Sequence, residues 1–402
     1  MGGRGEMTAQ VRLKPGKERP VLHRHPWIFS GAIQNIDATA RDGEVVEVTD
    51  ATGQWLARGH LNRRSQIVVR LLTWDPTEAV NRSFWCRRLE RAFLGRSLLA
   101  ADAGTNAYRL VHSESDGLPG LIVDRYADWL AVQFSTLGIE GVRETVVELL
   151  QEMTSPAGIY ERADPTARQR EGLPISEGVL AGKEPPDVIE ICETGFRFLV
   201  DVRHGQKTGF YLDQRENRRI VGSLCQGARV LNAFAYTGAF AVYALAGGAV
   251  SVVNIDTSRE ALELAERNLA LNGFSEDRYE LLQGDVFKVL RDYRAAGEQF
   301  DVVVLDPPKF ATTQGQVPSA ARGYKDINLL AMQLLRPGGL LATFSCSGVV
   351  TLDLFQKIVL GAAVDARRDV QIIGRLSQGP DHPILLSFPE SEYLKGLLCR
   401  VW

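Results

Sequence analysis

The spacing of hydrophobic and polar residues separates a β-rich beginning from a longer stretch in which strands alternate with helices. Residues 8–73 contain short apolar runs, among them GEVVEVTD and SQIVVRLLTW, divided by turn sequences such as ATGQWLARG. Runs of this length between turn residues predict strands, so we expect a small β-barrel-like domain here. The next segment, NRSFWCRRLERAFLGRSLL, has apolar residues at broadly helical spacing and predicts a connecting helix.

Residues 108–192 mix the two patterns. LPGLIVDRYADWLAVQF predicts a β-hairpin, IEGVRETVVELLQEM predicts a helix, and GIYERAD and DVIEICETGFRFLVDV predict strands. Between these two strands, PTARQREGLPISEGVLAGKEPP is rich in glycine and proline and predicts a loop. The pattern therefore indicates a central region of mixed α and β structure.

From about residue 196, strands and helices alternate regularly. ARVLNAFAYTGAFAVYALAGG and VSVVNIDTSREALELAERNLALNG each predict a strand, a turn and a helix, and apolar strands recur at FDVVVL and GGLLATFS. This alternation predicts an α/β fold with a doubly wound parallel sheet, to which the tail from VQIIGR onward adds two strands around a long loop. We place three domains at residues 8–76, 77–192 and 193–402.

Polar side chains follow the strands of this sheet at their carboxyl ends, where doubly wound folds bind ligands. The first strand ends in LNAFAYTGAF, and the later strands end in Asp256, Asp285, Asp306 and Ser345-Cys346. A single aspartate after a strand is usually a loop cap. Three at three successive strand ends favour a shared binding site.

The positions of these acids indicate the kind of cofactor. Asp256 follows Asn232 by one βα unit, which suits hydrogen bonds to ribose hydroxyls. The first turn has a single Gly238 instead of G-x-G-x-x-G, so a dinucleotide pyrophosphate is disfavoured. S-adenosylmethionine carries adenosine without a phosphate and tolerates this turn. Asp285 is then placed to accept a hydrogen bond from the adenine amino group.

The segment LDPPKF predicts a loop that grips a planar base. Proline lacks an N–H but keeps its carbonyl, and its rigid φ holds the loop shape. Asp306 and the proline carbonyls therefore offer acceptors to amino and imino donors. Cys346 ends the neighbouring strand, where a thiol can act as a nucleophile, although a free cysteine is more often a small buried hydrophobe. Cys192 and Cys225 lack such a position, and we expect them to pack.

Composition narrows the class of protein. No apolar run approaches the length of a membrane span, and MGGRGEMTAQ has no apolar signal core, so we expect neither a membrane protein nor a secreted one. The five cysteines form no CxxC or Cys/His cluster, which favours the reducing cytosol. Two histidines in HRHPW lack a third ligand, so no metal is expected.

Several segments, in order along nearly the whole chain, resemble one family. These are HPWIFSGAI (25–33), HSESDGLPGLIVDRY (112–126), KTGFYLDQRENR (207–218), VLNAFAYTGAFAVYA, NIDTS, LDPPKF, FSCSG and DHPILLSFPESEYLKGL. Together they resemble the RlmI-type 23S ribosomal RNA cytosine-C5 methyltransferases. The resemblance implies an RNA-binding PUA domain, a central α+β domain and a class I S-adenosylmethionine-dependent methyltransferase domain.

The resemblance also implies the cofactor pocket and the substrate. Cytosine in 23S ribosomal RNA is the implied substrate, and S-adenosylmethionine is the implied cofactor. The motifs place the following residues in its pocket: Phe210, Asp213, Arg215, Asn232, Phe234, Thr237, Asp256, Ser258, Asp285 and Asp306.

A covalent mechanism fits this chemistry. Carbon 5 of cytosine is a poor nucleophile, and a Cys346 thiolate added at carbon 6 pushes electron density onto it. Asp306 then holds or protonates the N3 and amino edge. Many RNA cytosine-C5 methyltransferases place a second cysteine just after the strand-four prolines, where this chain has Lys309. The group that removes the carbon-5 proton is therefore not identified, with water and a carboxylate as candidates.

Two alternatives remain open at this stage. DPPKF also resembles loops that bind exocyclic amino groups, in which Phe310 would stack on the base. Methylation of guanine or of an exocyclic amine is then the reaction, and Cys346 is dispensable. The second alternative is an RNA-binding assembly factor without catalysis, which would lack affinity for S-adenosylmethionine.

The basic amino-terminal part is the expected RNA-binding region. The net charge of the chain is −3, yet the first 100 residues contain 16 Lys and Arg against 10 Asp and Glu. Candidate phosphate contacts are Arg12, Lys14, Lys17, Arg19, Arg24, Arg63 and Arg64. Trp27 or Trp55 either stacks on a base or packs in the small β domain, and packing is the commoner role. A homodimer is left open.

Overall fold

A computed structural model describes residues 9–402, which form two compact units. The first unit comprises the residues up to Ile191, Val200–Phe210 and Pro380–Ser391. The second comprises Cys192–Leu199, Tyr211–Gly379 and Glu392–Trp402. Residues 1–8, on which part of the expectation about a signal segment rests, lie outside the described residues.

The first unit begins with a six-stranded sheet in the order β2-β6-β5-β4-β1-β3. Its elements are β1 (Gln10–Leu13), α1 (Arg19–Leu22), β2 (Trp27–Phe29), β3 (Ile33–Ile36), β4 (Val45–Thr49), β5 (Trp55–Leu61) and β6 (Ile67–Thr73). Alternate residues point into one core, as Val11 and Leu13 of β1 and Val46 and Val48 of β4 do. The β-rich beginning that the sequence predicted is confirmed.

The rest of the first unit has a five-stranded sheet in the order β11-β10-β9-β8-β7. Its elements are α2 (Arg82–Leu94), α3 (Ser97–Ala100), β7 (Ala107–His112), β8 (Leu121–Tyr126), β9 (Trp129–Phe134), α4 (Leu137–Glu140), α5 (Arg143–Thr154), β10 (Gly158–Glu161), α6 (Pro165–Glu171) and β11 (Gly178–Gly182). The predicted connecting helix is α2, which begins where Asn81 accepts a hydrogen bond from the Phe84 N–H. The predicted hairpin is β8 and β9.

One prediction in this region was wrong. The glycine- and proline-rich segment predicted as a loop contains the helix α6 and the strand β11. Asp164 caps α6 by accepting from the Ala167 N–H at 3.0 Å, Pro165 occupies its first turn, and Gly172 (φ 76°) ends it. A proline at the start and a glycine at the end are boundary signals of a helix, so these residues had been interpreted as loop formers without regard to their order.

The second unit is built on a seven-stranded sheet in the order β16-β15-β14-β17-β18-β20-β19. The chain enters it through the two-stranded pair β12 (Ile189–Glu193) and β13 (Phe196–Val200). The strands are β14 (Arg229–Ala233), β15 (Ser251–Asp256), β16 (Tyr279–Gln283), β17 (Phe300–Leu305), β18 (Leu335–Ser345), β19 (Val370–Ser377) and β20 (Lys395–Val401). The first five run parallel, and β20 is antiparallel to β18 and to β19.

Helices precede, connect and follow the parallel strands. They are α7 (Arg215–Gly222), α8 (Ala239–Ala246), α9 (Arg259–Leu271), α10 (Val286–Ala296), α11 (Val317–Leu334) and α12 (Leu352–Ala366). The central strand β17 is buried from Val302 to Leu305, as expected for a parallel strand covered on both faces. The predicted doubly wound sheet and its two final strands are confirmed. No helix in residues 9–402 is long and apolar enough to span a membrane.

Candidate active site

The carboxyl ends of the five parallel strands meet at one edge of the sheet. Ala233 of β14 pairs with Ile255 of β15 and with Leu305 of β17, and Leu305 pairs with Thr343 of β18. The residues that follow these strands are therefore neighbours, although they are far apart in sequence. The polar strand ends predicted from the sequence share this edge.

The loop after β14 has an unusual backbone. Phe234 (φ 62°) and Tyr236 (φ 48°) both adopt the left-handed conformation, which costs a non-glycine residue roughly 1–2 kcal/mol. Asp256 offsets this cost because its Oδ2 accepts from the Tyr236 N–H at 2.8 Å. The Asn268 side chain donates to the Thr237 carbonyl at 2.9 Å. Strain held in place by specific contacts is typical of functional loops.

Asp256 is both an anchor and a candidate ligand. Its Oδ1 accepts from the Ser258 N–H at 3.0 Å, so each carboxylate oxygen holds one backbone N–H. A carboxylate has about four acceptor positions, which leaves one on each oxygen for two adjacent hydroxyls. Ser258 itself caps α9, accepting from the Ala261 N–H and donating to Glu260.

Asn232 and Thr237 are buried behind this loop. The Asn232 side chain donates to Asn254 Oδ1 at 2.9 Å across β14 and β15, so it belongs to a polar pair within the sheet. Thr237 is 2% exposed, and its hydroxyl has no hydrogen-bond partner in the described part of the chain. A buried hydroxyl without a partner is uncommon and is consistent with a polar ligand at this edge.

Asp285 is exposed and caps α10, with its Oδ1 accepting from the Lys288 N–H at 3.0 Å. Asp285 therefore has the ordinary role of a helix cap, and its second carboxylate oxygen is left for a ligand. Its predicted contact with adenine stays a prediction.

The three residues predicted before α7 differ in their surroundings. Asp213 accepts a hydrogen bond from the Tyr393 hydroxyl at 2.6 Å. Arg215 is fully buried, with its Nε 3.6 Å from Glu193, so its charge is balanced inside the second unit. Phe210 is buried in the first unit. Their roles in cofactor binding stay predictions.

The loop after β17 and the end of β18 are in contact. The Cys346 thiol lies 3.9 Å from the carbonyl of Pro307, which is the residue after Asp306. Phe310 packs against Tyr324 with ring centroids 4.6 Å apart and against Phe287 at 6.0 Å. Phe310 is half-buried and packs against the hydrophobic core of the second unit through these two rings.

Cys346 differs from the buried cysteines. It is half-buried, whereas burial raises the pKa of Cys225 and of Cys399 to about 12. Those two thiols are inert at neutral pH because the thiolate is the reactive form. Cys86 and Cys192 are also half-buried, but Cys86 belongs to α2 and Cys192 to β12, so neither follows a strand of the seven-stranded sheet.

Sequence reasoning missed two residues beside Cys346. Tyr324 contacts Ser345 Oγ at 3.0 Å and Ser347 Oγ at 3.2 Å through its hydroxyl. Lys395, at the start of β20, donates to the carbonyls of Ser347 and Tyr393. The available signal was a lysine at the start of the apolar run LKGLL.

The predicted RNA-contacting residues lie in the first unit. All seven basic residues are exposed, and Arg63 forms an ion pair with Asp42 at 2.9 Å. Trp27 donates to Glu114 and packs against Phe388, and Trp55 donates to Glu47. Both tryptophans are half-buried and hydrogen-bonded, which matches the packing interpretation.

Comparison with known proteins agrees with this geometry. The model of the S-adenosylmethionine-dependent methyltransferase family matches residues 108–400, and the model of the PUA-like domain matches residues 11–74. A chain from Shewanella amazonensis called ribosomal RNA large subunit methyltransferase I is 51% identical over 396 residues, which are 98% of this chain and 100% of the relative. The chain belongs to the ribosomal RNA large subunit methyltransferase I family. A member from Yersinia pestis is 47% identical with the same coverage.

Solved structures agree on the fold of this methyltransferase. A Streptococcus mutans chain assigned to the SAM-dependent methyltransferases superposes with a TM-score of 0.84 at 21% identity, covering 97% of this chain and 99% of its own. A methyltransferase solved with S-adenosylhomocysteine superposes with a TM-score of 0.85 at 22% identity and the same coverage. The predicted fold, family and cofactor, S-adenosylmethionine, are confirmed.

Proposed function

We propose that this methyltransferase transfers a methyl group to carbon 5 of a cytosine in 23S ribosomal RNA, through a covalent bond between Cys346 and the base. The relatives' name supports a large-subunit ribosomal RNA as substrate. The observation that carries the cytosine-C5 chemistry is the half-buried Cys346 thiol, 3.9 Å from the Pro307 carbonyl of the base-binding loop.

The chain's own residues perform the covalent steps. The Cys346 thiolate adds to carbon 6 of the cytosine, and the electron pair of the 5,6 double bond moves to carbon 5. Bound S-adenosylmethionine supplies the electrophilic methyl group. Loss of the carbon-5 proton then restores the double bond and expels the thiolate.

The loop after β17 positions the base. Asp306 holds the N3 and amino edge of the cytosine as a carboxylate, or donates a proton to N3 as the neutral acid, which favours addition at carbon 6. The rigid φ of Pro307 and Pro308 holds the loop shape, and their carbonyls accept from the amino group.

Residues at the neighbouring strand ends would hold the cofactor. Asp256 would bind the ribose hydroxyls with the acceptor positions that its two backbone contacts leave open. Asp285 would accept from the adenine amino group. The remaining pocket residues carried over from the family are Phe210, Asp213, Arg215, Asn232, Phe234, Thr237, Ser258 and Asp306.

RNA binding falls to the first unit. Its exposed basic residues neutralise phosphates and give affinity that decreases with salt. Their side chains carry little sequence information, so the choice of cytosine comes from RNA shape and from the base-binding loop.

The alternative reaction, methylation of an exocyclic amine, is less well supported. It requires an aromatic ring after the prolines to stack on the base, and Phe310 is packed against Tyr324 and Phe287. A non-catalytic assembly role does not explain why the strand ends retain the acids and the thiol of a methyltransferase.

Nucleoside analysis tests the proposal. The protein is incubated with tritiated S-adenosylmethionine and protein-free 23S RNA, the RNA is digested, and the labelled nucleoside is identified. Label in 5-methylcytidine is the expected result. Label in N4-methylcytidine or in a methylated guanosine would reject the mechanism. If the naked RNA is not labelled at all, large-subunit assembly intermediates are the second substrate.

A further inference from the structure

Lys395 is a buried lysine that forms no ion pair with a carboxylate in the part of the chain that the structure describes. It is 4% exposed and pairs with Ser345 where β18 and β20 run side by side. Lysine is almost never this buried unless its charge is compensated, because removing an ammonium from water is costly. Neither the strand pairing nor the core explains a charged residue here.

The ammonium is held against the cysteine loop. Its Nζ donates to the Ser347 carbonyl at 2.6 Å and to the Tyr393 carbonyl at 2.7 Å. Ser347 is the residue after Cys346, so one of these bonds fixes the backbone that carries the thiol. A lysine has three N–H donors, and these two contacts use two of them.

The electrostatic surroundings link Lys395 to the thiol. Burial lowers the pKa of Lys395 to about 8, and a negative charge on Cys346 acts in the opposite direction and favours the ammonium. The interaction is mutual, so the ammonium favours the thiolate of Cys346 to the same extent.

Other titratable groups surround the same thiol. Burial raises the pKa of Tyr211 and of Tyr324, so both phenols stay neutral near neutral pH and cannot compensate a thiolate. Asp306 acts on Tyr211 together with Cys346, and its negative charge opposes a thiolate. The charged groups that act on Lys395, besides Cys346, are Glu392 and Lys309. Lys309 is exposed to water, which screens its charge.

We propose that Lys395 is the positioning residue that keeps Cys346 in its thiolate form and holds the loop that presents it to the base. This inference rests on the proposed role of Cys346 as nucleophile. Lys395 touches neither the base nor the cofactor in this role. It acts through charge and through the Ser347 backbone.

Alkylation of the thiol without RNA tests this role directly. The rate at which iodoacetamide modifies the Cys346 peptide is measured by mass spectrometry between pH 6 and 10 in the full-length protein. In Lys395→Met we expect the midpoint of the profile to rise by about one pH unit or more, which lowers the rate at pH 7 about tenfold. Lys395→Arg keeps the positive charge, so the midpoint of its profile should stay close to that of the unchanged protein.

Two controls separate charge from structure. Lys325→Met removes a half-buried lysine of the same unit that pairs with Asp365 at 2.7 Å, and the profile should not change. Lys395→Gln can donate to the carbonyls without the charge, so it should resemble Lys395→Met. If Lys395→Met fails to fold, as judged by thermal unfolding, the alkylation profiles of Lys395→Gln and Lys395→Arg are compared instead. Identical profiles for Gln, Arg and the unchanged protein would overturn the inference.

The role of Cys346 is tested separately. If Cys346→Ala still produces 5-methylcytidine, the covalent mechanism fails, whatever the alkylation profiles show. If Cys346→Ala is inactive and the Lys395 variants keep an unchanged profile, the mechanism stands and the inference about Lys395 fails.

Discussion

The two halves of the sheet edge are built differently. At the ends of β14, β15 and β16, carboxylates accept backbone N–H groups, as Asp256 and Asp285 do, and this fixes the loops before any ligand binds. At the ends of β17 and β18 and the start of β20, the Cys346 thiol contacts the Pro307 carbonyl, and the buried Lys395 donates to the carbonyls of Ser347 and Tyr393. In the proposed mechanism, the first half binds the cofactor and the second half reacts with the base.

Removal of the Cys346 thiol tests this difference between the two halves most strongly. Cys346→Ala deletes the nucleophile, so we expect methyl transfer to fall by roughly 10³-fold or more. Binding of S-adenosylmethionine should stay unchanged because the thiol is not one of its contacts. Single-turnover transfer and equilibrium dialysis measure the two quantities. A variant that retains most of its activity would contradict the covalent mechanism.

Removing Asp256, the proposed ligand of the ribose, should instead weaken the binding of S-adenosylmethionine. Asp256→Ala loses both proposed ribose contacts and the anchor of the Tyr236 N–H, so affinity for S-adenosylmethionine should fall about 100-fold. Calorimetry measures the affinity. Asp292→Ala, on the exterior of α10, is a matched control for loss of an acid and should bind normally. Equal affinities in Asp256→Ala and the control would place the ribose elsewhere.

The buried lysine predicts a dependence of stability on pH. The folded pKa of Lys395 is about 8 and its ordinary value is 10.5, so the unfolded chain binds more protons between these values. Stability relative to Lys395→Met should therefore rise as pH increases from about 8 to 10.5, by on the order of 2–3 kcal/mol. Urea unfolding at several pH values measures it. A difference that is flat across this range would mean that burial does not lower the pKa of Lys395.

Asp285 should matter less than Asp256. It is exposed, and one of its oxygens is already used to cap α10. We expect Asp285→Asn, which keeps a capping oxygen, to weaken S-adenosylmethionine binding about tenfold without a change in stability. Competition with adenosine distinguishes an adenine contact, since the variant should lose affinity for both ligands. Unchanged affinity for both would leave Asp285 as a helix cap alone.

The smallest effect is expected at Phe310. If its ring is part of the core, Phe310→Leu should lower stability by about 1 kcal/mol and change methyl transfer less than threefold. If the ring instead stacks on the base, transfer should fall far more than stability does. Parallel measurement of thermal unfolding and of initial rate separates the two.

The sequence predicted those parts of the molecule that depend on local pattern. The acids and Cys346 lie at strand ends, which apolar periodicity locates, and parallel pairing brings them to one edge. The helix α6 was missed because composition was given more weight than the order of Pro165 and Gly172. Lys395 could not be recognised as a neighbour of Cys346, because β20 inserts between β18 and β19 and only this topology makes the contact.

The three-domain boundaries and most cofactor contacts stay predictions. Phe310 illustrates why single side chains are harder to predict than strands. Its sequence position suggested a base-stacking ring, and only the packing of α10 and α11 beside the loop shows that the half-buried ring contacts the core.

Trapping the covalent intermediate tests the central claim most directly. In RNA that contains 5-fluorocytidine, carbon 5 carries fluorine in place of the proton that must leave, so the reaction stalls after methyl transfer. We predict a protein–RNA adduct that survives denaturing electrophoresis, requires S-adenosylmethionine, maps to the Cys346 peptide and is absent in Cys346→Ala. Production of 5-methylcytidine from normal RNA without any such adduct from fluorinated RNA would contradict the account.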